Sequence, residues 1–428
     1  ETMPFFIADI QNSDDEISLG ISKGALDSVV NIGRAKYGLG SGPQTGEFKR
    51  KTLANTFFAR LDWQINDKHR LTIRNNYSDW LNPVSNSDNS NINLYEVWGD
   101  IKSRENTTLV ALRSQFTPTF LNEFKLQYQS ATRNYVPNSE LPADNIPRAI
   151  VTVRSTLPNG TLGSKTVQLG GQRFYPENNL ENQFQFINTS YLTVDKYKFT
   201  FGTDNTLTYM DTYISSEQNG RFIFNSLADF NNLNASRYAR EAPINGIPSV
   251  QQYILNASLF GQVEFDISKN INAMFGLRYD VTSFLTRADY NPVVERTLGL
   301  RTDSRITDAG KIQPRIQLTW DIAGEKKDII RFGGGLFSSY PVNYAQVNNI
   351  QNSGTKVASI DVSRPATGAS LVPVPDFPAY RRNPSSAPGI IAGVPYVSTI
   401  NLNDPNLKMP SIFKANLSYN KIIGDRLR

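Results

Sequence analysis

The chain is dominated by stretches in which apolar and polar residues alternate, joined in pairs by very short polar turns. The clearest pair runs from Ala54 to Trp80 and turns at residues 66 to 69. The apolar positions of its first stretch are Phe57, Ala59, Leu61, Trp63 and Ile65. Because the side chains of a strand alternate between its two faces, this pattern predicts a β-hairpin with one apolar and one polar face.

The same pattern recurs along the chain and predicts about eleven strands. Further turns lie near residues 117–120, 195–196, 268–270 and 324–327, and a stretch from Phe413 to Tyr419 begins a sixth hairpin. The links between hairpins are long and rich in Asn, Ser, Gly and Pro, and we interpret them as irregular external loops over residues 81 to 103, 134 to 180, 215 to 250, 285 to 310 and 342 to 410. Short turns at one rim and long loops at the other are typical of bacterial outer-membrane barrels.

A soluble β-sandwich also alternates apolar and polar residues, but three observations favour a membrane barrel. Several stretches run to about 11 to 15 residues, which is enough to cross a bilayer at a tilt. Aromatic residues of the apolar parity gather near the short turns, as in a membrane-interface girdle, namely Trp63, Tyr197, Phe199 and Trp320. The opposite parity is charged along its length. We therefore predict an all-β, antiparallel, up-and-down transmembrane barrel.

Composition argues against most other classes of protein. Hydrophobic residues make up 39% of the chain, which suits walls with one apolar face better than a large closed core. There is no cysteine, and the single histidine, His69, lies in a short turn, so we expect no disulfide, metal site or cofactor. The 44 basic and 39 acidic residues are interspersed, so we expect no nucleic-acid partner.

No motif indicates an enzyme, and we predict no catalytic residue. A phosphate loop and an H-E-x-x-H helix are missing from the sequence. The run Gly333-Gly334-Gly335 lies inside a predicted strand with no helix after it. We interpret it as room for a bend or for a close neighbour.

One helix is predicted, between Ser22 and Tyr37, within an external loop formed by residues 1 to 45. Ser22 is a candidate N-cap and Gly38 a candidate C-terminal stop. The acidic run Asp14-Asp15-Glu16 just before this helix lacks the spacing of an EF-hand loop. We interpret it as a solvated surface run, with cation binding as the alternative.

Several phrases of the sequence resemble the barrel of TonB-dependent outer-membrane receptors, especially the Oar-like branch, whose members carry a carboxypeptidase-regulatory-like domain. They are residues 57–63, 69–76, 224–230 and 404–408. The resemblance implies a barrel of 22 strands with an N-terminal plug, energised through TonB by the proton gradient of the inner membrane. We expect residues 1–428 to form one partial barrel domain, with hairpins and loops over 53–423, and the plug and the TonB-contacting segment to lie outside this sequence.

The leading hypothesis is a receptor in the outer membrane of a Gram-negative bacterium that binds an external solute with its loops and imports it through the barrel. Its expected partners are outer-membrane lipid, the TonB complex and, as an option, a surface lipoprotein or secreted protein. Candidate ligand-binding residues are the loop aromatics Tyr95, Trp98, Tyr175, Tyr238, Tyr340, Tyr344, Tyr380 and Tyr396. The alternatives are a plugless channel, a surface anchor that displays loops to a partner protein, and a soluble carbohydrate-binding sandwich.

Overall fold

The computed structural model describes residues 2–84, 91–137, 146–175, 177–213, 217–244, 249–340, 343–383 and 386–422. The strands in chain order are β1 (Thr2–Ile7), β2 (Gly46–Lys51), β3 (Leu53–Asn66), β4 (His69–Val84), β5 (Ile92–Asn93), β6 (Gly99–Thr117), β7 (Phe120–Pro137), β8 (Arg148–Thr156), β9 (Leu162–Gly170), β10 (Glu177–Val194), β11 (Tyr197–Tyr213), β12 (Arg221–Phe224), β13 (Arg237–Pro243), β14 (Val250–Ser268), β15 (Ile271–Phe284), β16 (Thr307–Asp321), β17 (Asp328–Ser338), β18 (Val357–Ser363) and β19 (Ser411–Lys421). The helices are α1 (Ser13–Leu19), α2 (Lys23–Ile32), α3 (Leu227–Asn231), α4 (Pro292–Leu298), α5 (Asn343–Gln351) and α6 (Phe377–Arg382), with a π-helical turn at Gly33–Tyr37 and a 3-10 turn at Tyr95–Val97.

The predicted hairpins form one eleven-stranded sheet in the order β19-β17-β16-β15-β14-β11-β10-β7-β6-β4-β3. All of its neighbouring strands pair antiparallel, which confirms the predicted up-and-down topology. Its strands run from 11 residues in β17 to 19 in β6. Strands of that length cross a tilted bilayer, whereas strands of soluble domains cluster near five or six residues.

The two faces of this sheet differ in chemistry as the alternation predicts. In the outer half of β14, Tyr253 and Leu259 are 46% and 64% exposed, while Gln252, Ile254 and Ser258 on the opposite parity are buried. The same apolar parity is exposed on other strands, for example at Leu61, Phe201, Leu277, Ile312, Phe332 and Leu336. Because these side chains are exposed, no layer of the described residues covers the apolar face, as a sandwich would require. We call this face outward and the polar face inward.

All five predicted loops contain regular structure, including β5 in 81–103 and α4 in 285–310, and in this respect the prediction is wrong. Segments from 134–180, 215–250 and 342–410, with residues 92–93, build a second sheet of six strands in the order β18-β13-β12-β8-β9-β5. Helices α2, α3 and α6 pack on it around a continuous apolar core that includes Val151, Leu169, Phe222, Phe224 and Phe230. We call this second sheet, its three helices and their connecting loops the cap.

The predicted helix is confirmed, and a shorter helix precedes it. The Ser22 hydroxyl accepts the Ala25 N–H at 3.3 Å and caps α2, and Gly38 ends the helical stretch with φ of 63°. The acidic run forms the first turn of α1, where the Asp15 carboxylate accepts the backbone N–H of Asn12 at 3.0 Å. Asp15 therefore serves in a capping box with Asn12.

The loop between β17 and β19 folds onto the inward side of the large sheet. Val347 and Ile350 of α5 pack against Met210 and Val250, which lie on the inward parity of β11 and β14. The end of this loop packs with Met409 on a second inward cluster formed by Ile254, Phe284 and Ile306. Among the described residues, no helix combines the length and the hydropathy needed to cross a membrane.

Candidate functional site

The inward face carries a polar cavity of about 290 Å³ near the outer ends of β11, β14, β15 and β16. Arg278 lies at its centre, donating from Nε to Asp280 at 2.8 Å, and its Nη2 lies 3.6 Å from the carboxylate of Asp204 two strands away. Ser338 also donates to Asp280, at 3.1 Å, and Tyr340 lines the rim. Arg278 and Asp280 of β15 thus form a charge-assisted hydrogen bond with each other, and they contact Asp204 of β11 and Ser338 of β17 on the polar face.

A second arginine of this wall lies beside an aromatic ring. The guanidinium of Arg315 lies 4.6 Å from the centre of the Phe337 ring, and Nζ of Lys414 lies 5.9 Å from the same ring. A side chain at Gly335 would meet Arg315 Cγ at 3.0 Å and the Pro314 carbonyl oxygen at 2.8 Å. The triple-glycine run therefore gives room to a close neighbour, as predicted. Among the described residues, Arg315 forms no ion pair.

Two further hollows line the inward face. One, of about 270 Å³, lies between the wall and α5 and is bordered by Trp80, Arg133, Glu181 and Tyr344. The other, of about 420 Å³, lies nearer the short turns and includes Arg60, Glu123, Lys125 and Gln127. Both signs of charge alternate along this wall. Such a surface can bind polar groups of a solute or of a protein segment, and the described residues hold no cluster of His, Asp and Glu suited to a metal ion.

Two of the predicted ligand-binding aromatics lie in the core of the cap. Tyr238 is 0% and Tyr380 5% exposed, and both pack on Phe222, with ring centres 4.6 and 6.2 Å away. Their hydroxyls donate to the carbonyl oxygens of Pro388 at 2.7 Å and Val374 at 2.6 Å. Burial raises the pKa of Tyr238. These two rings hold the cap together, and a solute has no access to them.

The other predicted aromatics are more accessible and fall into separate groups. Tyr95 stacks on Phe48 at 4.1 Å and Trp98 packs on Phe5 at 4.7 Å, so both join the antiparallel pair of β1 and β2 to the wall. Tyr340 and Tyr344 lie on either side of the start of α5 and border the two cavities near the mouth. Tyr175 is half-buried and Tyr396 is 46% exposed.

The four predicted girdle residues have exposed rings near the short turns. Trp63 is 56% and Trp320 45% exposed, on outward positions of β3 and β16. Tyr197 and Phe199 are 37% and 36% exposed at the start of β11, and the Tyr197 ring lies 5.4 Å from that of Phe265 on β14. This placement suits an interfacial band, which stays a prediction.

A buried carboxylate that the sequence did not reveal ties three cap segments together. Glu96 is 4% exposed, and its two oxygens accept the backbone N–H groups of Gly40 at 2.6 Å and Gly170 at 2.7 Å. Burial raises the pKa of Glu96, while the two N–H donors and nearby arginines oppose that rise. No local pattern marks this residue, because its partners are 56 and 74 positions away.

Known proteins resemble this chain in fold. The transporter YddB from Escherichia coli is 13% identical with a TM-score of 0.48, over 76% of this chain and 39% of that one. The FrpB iron transporter from Neisseria meningitidis is 9% identical with a TM-score of 0.44, over 76% of this chain and 44% of that one. The alcaligin receptor FauA from Bordetella pertussis is 9% identical with a TM-score of 0.41, over 89% of this chain and 52% of that one. The chain thus spans between two fifths and about half of these structures.

No curated protein sequence matches the chain significantly. The profile of the outer membrane beta barrel domain family, by contrast, matches residues 39–427, nearly the whole sequence. That match agrees with an eleven-stranded antiparallel sheet whose outward face is apolar and exposed. The chain belongs to the outer membrane beta barrel domain family, and its location is the outer membrane of a Gram-negative bacterium.

Proposed function

We propose that the chain forms part of the wall and the outer cap of an outer-membrane transporter that binds an external solute and passes it inward. The observation that carries this proposal is the polar inward face, with its cavities and with a loop folded over its outer end. A wall with an apolar outward face and a charged inward face separates lipid from an aqueous route. A folded cap at the mouth offers a surface that can select what enters.

We further propose that the full protein is a TonB-dependent receptor of the Oar-like branch. The described sheet has free edges at β3 and β19. Unpaired strand edges are costly in lipid, because no water is present to satisfy their N–H and C=O groups. This favours completion of the barrel by further strands, with residues 1–428 as one partial barrel domain and the plug supplied from elsewhere in the protein.

We propose fewer aromatic residues as contacts of the solute than the sequence alone predicted. Tyr340 and Tyr344 border the inward cavities beside charged groups of the wall, and we propose them first for solute binding. Tyr175 and Tyr396 remain candidates at the surface of the cap. Tyr95 and Trp98 are assigned to packing of the antiparallel pair of β1 and β2.

A single uptake experiment separates this proposal from its alternatives. The full-length protein is expressed in a Gram-negative host with TonB and in the same host without it, and depletion of solutes from a complex medium is followed by mass spectrometry. An energised receptor depletes its solute only when TonB is present. A plugless channel would deplete solutes equally in both hosts. A surface anchor would deplete none in either host, and that result would refute transport altogether.

A further inference from the structure

Three arginines of the cap converge on one carboxylate. Glu217 accepts from Nη2 of Arg148 at 2.7 Å and from Nη1 of Arg221 at 2.7 Å, and it lies 3.5 Å from Nε of Arg173. Arg148 begins β8 and Arg221 begins β12, and the parallel pairing of these strands places the two residues side by side. The fold therefore holds two positively charged side chains next to each other.

Among the described residues, Arg148 and Arg221 share one ion-pair partner, the carboxylate of Glu217, and part of the cluster is buried. The side chains of Arg148 and Glu217 are 5% and 9% exposed. The charges that act on Arg148 come from Glu217 and from the two other arginines, and burial lowers the pKa of Arg148. Because a guanidinium stays protonated, Arg148 and Arg221 both remain charged beside this single carboxylate. Burying a charged group is unfavourable unless its hydrogen-bond donors are satisfied, and a bound anion would satisfy them.

Several guanidinium donors of the cluster point at no acceptor. Nε and Nη1 of Arg148 and Nε of Arg221 are buried, and no described residue accepts a hydrogen bond from them. The planar fork of an arginine matches the two oxygens of a carboxylate or phosphate. Arg221 and Arg173 keep 28% and 35% of their side chains exposed, so an anion can approach from their side.

The cluster lies at the inward side of the mouth. The Arg173 guanidinium lies 5.2 Å from the centre of the Phe174 ring, and that ring packs 5.4 Å from Tyr135 on the inward parity of β7. We propose that Arg148, Arg173 and Arg221 form an oxyanion site that binds a carboxylate or phosphate group of the incoming solute. The site therefore predicts that the solute carries an acidic group, and this assignment rests on the proposed transport function.

The test measures binding directly and does not depend on transport. The full-length protein in detergent is titrated with inorganic phosphate in a chloride buffer by isothermal calorimetry. We expect saturable binding at one site per chain, weakened at least about tenfold in Arg221→Gln and in Arg173→Gln, because each variant removes a charged hydrogen-bond donor. The matched control is Arg154→Gln, an exposed arginine further along β8 that makes none of these contacts. It should bind phosphate like the unmodified protein.

Three outcomes would overturn the assignment. They are the absence of saturable phosphate binding in the unmodified protein, unchanged affinity in both Arg221→Gln and Arg173→Gln, or equal loss in the Arg154→Gln control. Lipid phosphate is the other source of such an anion, so bound phosphate is also challenged with phosphatidylcholine vesicles that contain phosphatidic acid. We expect no displacement, and displacement would refute a soluble solute. Failure of TonB-dependent uptake with intact phosphate binding would count against the transport proposal alone.

Discussion

A single charge on the outward face tests the membrane orientation of the sheet. Leu277 is 54% exposed on β15, opposite Gly261 of β14 and Pro314 of β16. It lies six residues beyond Ile271, the first residue of that strand. With a rise of about 3.3 Å per residue and a tilt of about 40°, this places Leu277 about 15 Å above the short turn. The apolar band of such barrels is about 25 Å tall, so Leu277 lies close to its middle.

Leu277→Arg should therefore destabilise the protein in lipid by about 2 to 4 kcal/mol. Its cross-strand neighbours supply no acceptor side chain, so the guanidinium would remain unpaired in hydrocarbon. Leu112→Arg, on the outward face of β6, should behave similarly. Gln127→Arg, beside Glu123 in the inward hollow, should be nearly neutral because water and an acidic group are at hand.

The assay is reversible urea unfolding of the full-length protein in phosphatidylcholine liposomes, followed by tryptophan fluorescence. Free energies of unfolding are compared at a common denaturant slope. Leu277→Ala is the control for lost apolar contact without charge. Equal destabilisation by arginine at positions 277 and 127 would refute the assignment of the two faces.

Three further predictions concern particular contacts. Gly335→Ala should destabilise the sheet by about 1 to 3 kcal/mol because its Cβ would meet the Pro314 carbonyl oxygen at 2.8 Å. Gly276→Ala, whose Cβ would have its nearest neighbour at 3.4 Å, should be tolerated. Equal destabilisation by both variants in urea unfolding would contradict this reasoning. Tyr37→Phe removes a 2.5 Å hydrogen bond to the Phe230 carbonyl oxygen and should lower the stability of the cap by about 1 to 3 kcal/mol in hydrogen exchange, while exposed Tyr396→Phe should change nothing. Glu96→Gln should lower the free energy of unfolding by a similar amount, about 1 to 3 kcal/mol, because its amide N–H₂ would face the N–H of Gly40 or Gly170. An unchanged melting temperature would show that neither hydrogen bond stabilises the cap.

The wall was predictable because its information is local. A period of two, as in Phe57 to Ile65, specifies both the strand and the face, and a short turn specifies the antiparallel partner. The register follows from the same pattern, so that Leu61 pairs with Ile73 and Trp63 with Leu71. Helix α2 was predictable for the same reason, since Ser22 and Gly38 are local signals.

The cap was not predictable from local pattern because its pairings are distant. Strands β13 and β18 pair Arg237 with Ser363, and β8 and β12 run parallel although they come from separate loops. A signal was present in β8, where Ala149, Val151 and Val153 alternate, but the Asn- and Gly-rich surroundings concealed it. Tyr238 and Tyr380 were assigned to ligand binding because composition cannot separate a loop surface from a core built by loops.

The arginine cluster could not be predicted from the sequence for the same reason. Arg148 and Glu217 are 69 positions apart, and neither lies in a motif. The wall charges at Arg278 and Asp280 were visible from the sequence as a polar parity. Their contacts with Asp204 of β11 and Ser338 of β17 could be known only from the order of the strands in the sheet.

The central claim is that the outward face of the large sheet touches lipid. Because this chain contains no cysteine, spin labels can be attached at Leu259→Cys and Gln262→Cys on β14 after replacement of any cysteine elsewhere in the full-length protein. In liposomes, electron paramagnetic resonance should show that the label at 259 collides with oxygen dissolved in the bilayer and is shielded from a water-soluble nickel complex, with the reverse at 262. Equal accessibility at the two positions, or nickel contact at 259, would contradict the account.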